Sequence, residues 1–154
     1  MIRDSRLSGV LHVLLHMAEY DGPVTSDLLA KAMQTNPVVI RRTMAGLKAK
    51  GYVQSERGHG GGWTLAEGFG RLTLRDIYSA LGSPALLAIG NRSDNPSCLV
   101  EQAVNAALDD SFAAAEALLL QRLGEVTLAE LSADFHRRML ARGAHFDLEH
   151  SHAS

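Results

Sequence analysis

The amino-acid sequence predicts a mainly α chain carrying one small β-hairpin. Three observations lead there. Apolar residues in the first fifty positions recur at spacings of three and four in three separate runs. A glycine-rich stretch, Gly58-His59-Gly60-Gly61-Gly62, sits between two short segments of alternating character. From 97 to 123 an alanine- and leucine-rich stretch runs on without a glycine or proline.

Taken in order, residues 5–20 place Leu7, Val10, Leu11, Leu14 and Met17 on one helical face, and Asp21-Gly22-Pro23 stops the helix. A shorter helix spans 25–33, with Leu28, Leu29 and Ala32 inward and Thr25, Ser26 and Asp27 at its start. The third opens on Asn36, whose side chain suits a cap, with Pro37 at the first helical position and Gly51 as the stop. Ile40, Thr43, Met44 and Leu47 share its inner face. Val38, Arg42, Ala45 and Ala49 lie opposite, flanked by Arg41 and Lys48.

The segments Tyr52 to Arg57 and Trp63 to Leu65 then read as a hairpin with a mobile glycine tip. Thr73 and Asp76 open a helix running to Ala80. Gly82, Pro84, Gly90, Asn91, Asn95 and Pro96 mark 82–97 as a connector. The stretch 97–123 is a helix apolar on two sides, with Leu99, Val100, Val104, Leu108, Phe112, Leu118 and Leu119, so it needs two partners; one is its own domain and the other a second copy. Thr127 and Glu130 form a capping box before a last helix carrying Leu128, Leu131, Phe135 and Met139. The expected division is a winged helix-turn-helix domain at 1–81, the connector at 82–97, dimerisation helices at 98–142 and a flexible tail at 143–154.

Composition narrows the function. A chain of 154 residues with 46% hydrophobic content buries a core, which excludes a disordered or fibrous protein. No run approaches the roughly 18 apolar residues of a membrane span, and residues 1–6 lack the order of a signal peptide, so the expectation is a cytoplasmic chain with no membrane partner. One cysteine, Cys98, makes no intramolecular disulfide and no four-cysteine metal site. The net charge of -2 divides unevenly: 1–75 hold ten basic residues against six acidic, and 76–154 five against eleven. A basic first half points to a polyanion, and an acidic, leucine-rich second half to assembly.

Three helices followed by a hairpin, with basic residues on the third helix and at the hairpin tip, is the order of a winged helix-turn-helix joined here to a long dimerisation helix. The third helix would enter the major groove by its amino-terminal end, bringing Arg41 and Arg42 to base edges or phosphates. Ala45, Gly46 and Ala49 permit close approach. Arg57 would reach a narrow minor groove, and Arg3 and Arg6 would meet phosphates. The glycines are no phosphate-binding P-loop, since no Gly-Lys-Ser/Thr follows them.

The run Arg57-Gly58-His59-Gly60-Gly61-Gly62-Trp63, with Leu47-Lys48-Ala49-Lys50-Gly51-Tyr52-Val53 before it and Leu72-Thr73-Leu74-Arg75-Asp76-Ile77 after it, resembles the Rrf-two family of winged-helix transcriptional regulators, the IscR-, NsrR- and CymR-like proteins. The resemblance spans about residues 1–140. It implies a DNA-binding regulator, most often a repressor, with the family's wing arginine at Arg57 and its base-reading segment at Asn36, Val38, Arg41 and Arg42. Lys48 and the wing residue His59 complete the expected contacts. His59 and Trp63 depart from the small residue or proline and the tyrosine often found there.

Cluster-binding members bring three cysteines before and within the long helix. Here only Cys98 stands, so no cofactor is expected and an iron–sulfur cluster held in the family's way is not. Cys98 with His12, His16 or a second subunit is the alternative ligand set. His12 and His16, at i and i+4, either bind a metal or are two partly exposed helix residues. His145, His150 and His152 read as a solvent-exposed tail.

Cys98 has two readings. Capping of the long helix by Asn95 or Ser97 would put the thiol in its first turn, where the helix favours the thiolate and oxidation could switch the regulator. The resemblance implies the same, because single-cysteine members include redox sensors. The other reading is an inert cysteine packing as a small apolar group. The leading expectation is thus a homodimer on a palindromic operator in double-stranded DNA, responding to redox state through Cys98. Alternatives are a regulator sensing a small ligand or metal, a winged-helix interaction module without DNA binding, and an enzyme using Cys98 as nucleophile, for which no base or oxyanion partner is visible.

Overall fold

The structure, a computed structural model, describes residues 3–143. The tail histidines His145, His150 and His152 lie outside the described residues. Helices α1 (Arg6–Ala18), α2 (Ser26–Ala32) and α3 (Pro37–Ala49) precede strands β1 (Val53–Glu56) and β2 (Gly62–Leu65). A 3₁₀ turn (Phe69–Arg71) leads to α4 (Leu74–Ala80), α5 (Leu99–Glu125) and α6 (Leu128–Ala141). The expected mainly α class with one hairpin is the observed one.

Local chemistry explains the helix ends. Thr25 caps α2 by accepting from the Leu28 N–H, and Asn36 caps α3 by accepting from the Val38 N–H at 2.8 Å. Between them Gln34 turns the chain at a φ of 51°, and the Thr35 N–H reaches back to the Ala30 carbonyl. After α3, Gly51 adopts a φ of 78°. That lets the N–H groups of Gly51 and Tyr52 close on the carbonyls of Lys48 and Leu47, the C-terminal motif glycine permits without strain. The first helix is shorter than its sequence pattern, because Ser5 makes no side-chain cap bond and the chain turns after Ala18.

The core joins Val10, Val13, Leu14 and Met17 of α1 to Leu29 of α2, Ile40, Met44 and Leu47 of α3, Val53, and Ile77 of α4. Leu128 of α6 is fully buried in the same cluster, and each such leucine contributes about 1.5–3 kcal/mol. The starts of α4 and α6 meet as a pair. Thr73 with Asp76 and Thr127 with Glu130 each form a capping box. Thr73 and Thr127 form an isolated antiparallel bridge, with the Leu74 N–H on the Val126 carbonyl and the Leu128 N–H on the Leu72 carbonyl. Sequence pattern found both boxes but not their union.

The long helix departs from its expected bounds at both ends. Cys98 itself is the N-cap residue, in place of Asn95 or Ser97, and makes no side-chain cap bond. At the far end the helix continues through Gly124, which packs beside Arg75, to Glu125. Asn105 is its one buried residue, while Leu99, Val100, Val104 and Leu118 are at least half exposed. The connector lies along the first half of α5 through three side-chain bonds: Asn91 to Asp109, Asn105 to the Ser93 carbonyl, and Gln102 to the Pro96 carbonyl.

Candidate nucleic-acid interface

The packing of α3 decides which residues face outward. Burial of Ile40, Met44 and Leu47 leaves Val38, Arg41, Arg42, Ala45, Lys48 and Ala49 exposed. Val38 is 55% exposed and Val39 52%, an apolar pair on the first turn that only Val38 represented in the sequence reading. An exposed apolar pair of this kind is able to contact the 5-methyl group of thymine in a major groove. Gly46 is turned towards α4: a Cβ there would meet the Ala80 carbonyl at an ordinary contact distance of 3.8 Å, so the position has room for a methyl group.

The basic residues divide by their partners. Arg41 pairs with Asp27 of α2 at 3.8 Å, both well exposed. Lys48 donates to Ser55 Oγ at 2.7 Å, which ties α3 to β1. Arg6 is held by Asp4 at 2.6 Å, and its guanidinium and backbone N–H bring the Asp4 carboxyl down to about 2. Its charge is thus already shared with a carboxylate. Arg42 and Arg57 make no ion pair among the described residues, so they present whole charges. Asn36 commits its side-chain oxygen to the α3 cap, leaving the amide nitrogen for any base contact.

The wing is better fixed than a mobile glycine loop. Strands β1 and β2 pair antiparallel with Val53 opposite Leu65 and Glu56 opposite Gly62. The Gly61 N–H closes on the Gly58 carbonyl at 3.0 Å. A Cβ on Gly61 would collide with the Glu56 carbonyl, and one on Gly62 would sit 2.6 Å from the Val24 carbonyl. These two glycines are there for close backbone approach. Val24 and Trp63 form a bridge with N–H to carbonyl bonds of 2.9 and 2.8 Å, a third strand one residue long that sequence pattern did not reveal. Trp63 Nε1 donates to Ser26 Oγ at 2.8 Å, binding the wing to the start of α2. Arg57 and His59 are carried on this tip, and both are exposed.

Cys98 is exposed, against the reading of an inert packed thiol. The backbone N–H groups of Glu101 and then Val100 point at it and lower its pKa below the usual thiol value. No described helix is long and apolar enough to cross a membrane.

A model of the Rrf2 family, described as "Iron-dependent Transcriptional regulator", matches residues 3–134. YwnA of Bacillus subtilis (strain 168), named an HTH-type transcriptional regulator, is 27% identical over 128 residues, covering 83% of this chain and 95% of YwnA. Among solved structures, a transcriptional regulator from Lactobacillus plantarum superposes with a TM-score of 0.71 at 25% identity, over 90% of this chain and 95% of that one. CymR (YrzC), the global cysteine regulator of B. subtilis, gives 0.57 at 20% identity over 86% and 98%. The last is a likeness of fold.

The family's description implies iron, and the donor set here does not fit an iron cluster. Cys98 is the sole cysteine. Among the described residues no three His, Cys, Asp or Glu side chains come together to hold a metal.

Proposed function

The chain belongs to the Rrf2 family of transcriptional regulators, and from that premise we propose a homodimeric repressor that reads a palindromic operator with α3 and the wing and answers to oxidation at Cys98. The carrying observation is that α3, with three buried residues inward, turns Val38, Arg42, Ala45 and Ala49 outward beside the wing that bears Arg57. Val38, Arg41 and Arg42 take the major groove, and Arg57 enters the minor groove, where negative potential attracts a guanidinium. Lys48, Arg3 and His59 add phosphate contacts. Asn36 and Arg6 contribute less, one engaged in a cap and the other with Asp4.

Dimerisation is supported by α5. A helix 27 residues long with one buried residue leaves its leucines and valines to a second copy. Two recognition helices so joined would sit about 34 Å apart, one turn of DNA. Cys98 lies at the start of that helix, so a new bond to its sulfur alters the element that sets the spacing.

The test is binding to DNA from the protein's own upstream region at two salt concentrations, reduced and after peroxide. Salt-sensitive, sequence-specific binding lost on oxidation supports the reading. Binding indifferent to peroxide removes the thiol from it, and no binding to genomic fragments removes the operator.

A further inference from the structure

We propose that the start of α3 reads thymine by its methyl group, a role that rests on the reading of α3 as the operator helix and names the base edge it takes. Val38 and Val39 pack against the 5-methyl group of one thymine, or of two successive thymines, in each half-site, and Asn36 donates its amide nitrogen to the thymine O4.

Two β-branched residues stand side by side on the first turn, Val38 55% and Val39 52% exposed. Neither joins the core, which α3 enters through Ile40, Met44 and Leu47. Helix formation does not call for them either, since β-branched side chains lower helix propensity slightly. At about 100° per residue Val38 shares the outermost stripe with Arg42, Ala45 and Ala49, and Val39 lies beside it. The surroundings say what such a pair meets. No acidic residue occurs in α3, and Asp27 of α2 is paired with Arg41. Arg42 follows Val38 by one turn with its charge unshared among the described residues. An apolar pair set beside cations suits the methyl-bearing edge of a polyanion rather than the face of another protein.

The bases differ in what they show in the major groove. Thymine alone carries an acceptor, O4, beside a methyl group; cytosine has a donor at N4 and no methyl, and the purines have no methyl. Asn36 accepts the Val38 N–H with its side-chain oxygen at 2.8 Å, and its amide nitrogen has no partner among the described residues. A donor next to two apolar side chains is the complement of the thymine edge. The cap also removes the usual pairing of asparagine with adenine, which needs the oxygen and the nitrogen together. Valine is stiff at χ1 on a helix, so docking against a methyl group orders little that was free.

The test begins with selection of binding sites from random duplex DNA by the full chain. Each thymine of the recovered half-site is then replaced by deoxyuridine, which keeps O4 and lacks the methyl group, and affinity is read by fluorescence anisotropy. The expected result is a loss of about fourfold at one or two positions per half-site, the worth of one buried methyl group. In a double variant, Val38→Ala with Val39→Ala, that loss should shrink to below about twofold, while in Arg42→Ala it should persist. Both valines are exposed, so the double variant keeps the core, which circular dichroism checks. A recovered site bound equally well with uracil throughout, or a uracil penalty that the valine variant keeps, overturns thymine reading and leaves α3 as an operator helix. Failure to enrich any sequence overturns the operator reading and thymine reading with it.

Discussion

Trp63 and Ser26 are joined by a hydrogen bond of 2.8 Å from the indole N–H to the hydroxyl, and through it the wing and the start of α2 form one unit. The backbone of Trp63 exchanges two further bonds with Val24. Replacing Trp63 with phenylalanine removes the side-chain bond and keeps the bridge. Urea unfolding should show a loss of about 1 kcal/mol, and Ser26→Ala should lose little more when added to it.

Gly62 has no room for a side chain against the Val24 carbonyl. Gly62→Ala should open the Val24–Trp63 bridge, lower stability by about 1–3 kcal/mol and weaken operator binding. Gly60, with open space around it, has no such clash and differs only in its φ of 78°. Gly60→Asn should cost far less in the same unfolding and gel-shift measurements.

Arg42 and Arg57 carry unshared charge, and Arg41 shares its charge with Asp27. Arg57→Ala and Arg42→Ala should each weaken specific binding by about 1–3 kcal/mol, measured by fluorescence anisotropy. Arg41→Ala should cost less, and Asp27→Asn should tighten binding slightly at low salt. Equal losses at the three arginines would contradict this ranking.

The Cys98 thiol is exposed and its pKa is lowered by the Glu101 and Val100 N–H groups. Its thiolate therefore persists to lower pH than that of a free cysteine. The rate of alkylation by iodoacetamide should rise with a midpoint below the ordinary thiol value. Cys98→Ser should keep DNA binding and abolish the response to peroxide.

The carboxyl of Glu130 is held below the usual carboxylate range by the Thr127 backbone N–H and then by its hydroxyl. A folded-state pKa below the unfolded one means that its support is present above the unfolded value and lost as pH falls through the folded one. Acid titration followed by helicity should therefore show α6 weakening, and Glu130→Gln should flatten that change. Thr127→Ala should cost about 1 kcal/mol at neutral pH, by thermal or urea unfolding.

Much of this was legible because the signals were local. Asn36-Pro37, Gly51 and the two threonine caps act within one turn, and each stands where its residues implied. The helix faces followed from periodicity, so Ile40, Met44 and Leu47 were found inside and Arg42 outside. What escaped was non-local. The Val24 bridge, the Ser26–Trp63 bond and the junction of Thr73 with Thr127 each depend on residues tens of positions apart. Partners were equally invisible: nothing in the spacing shows that Lys48 turns to Ser55 or that Arg6 turns to Asp4. Capping by Cys98 went unseen because cysteine is no favoured cap, and the backbone alone set the helix start.

The junction at Thr73 and Thr127 has a mechanical consequence. It anchors the carboxy-terminal end of α5 on the winged domain, where Gly124 also abuts Arg75. From that pivot the helix extends about 40 Å to Cys98, at 1.5 Å per residue. A tilt of about 3° then displaces the sulfur by about 2 Å. Conversely, a group added at the sulfur would act at the far end of that rod, against the bonds of Asn91, Gln102 and Asn105 by which the connector holds its first half.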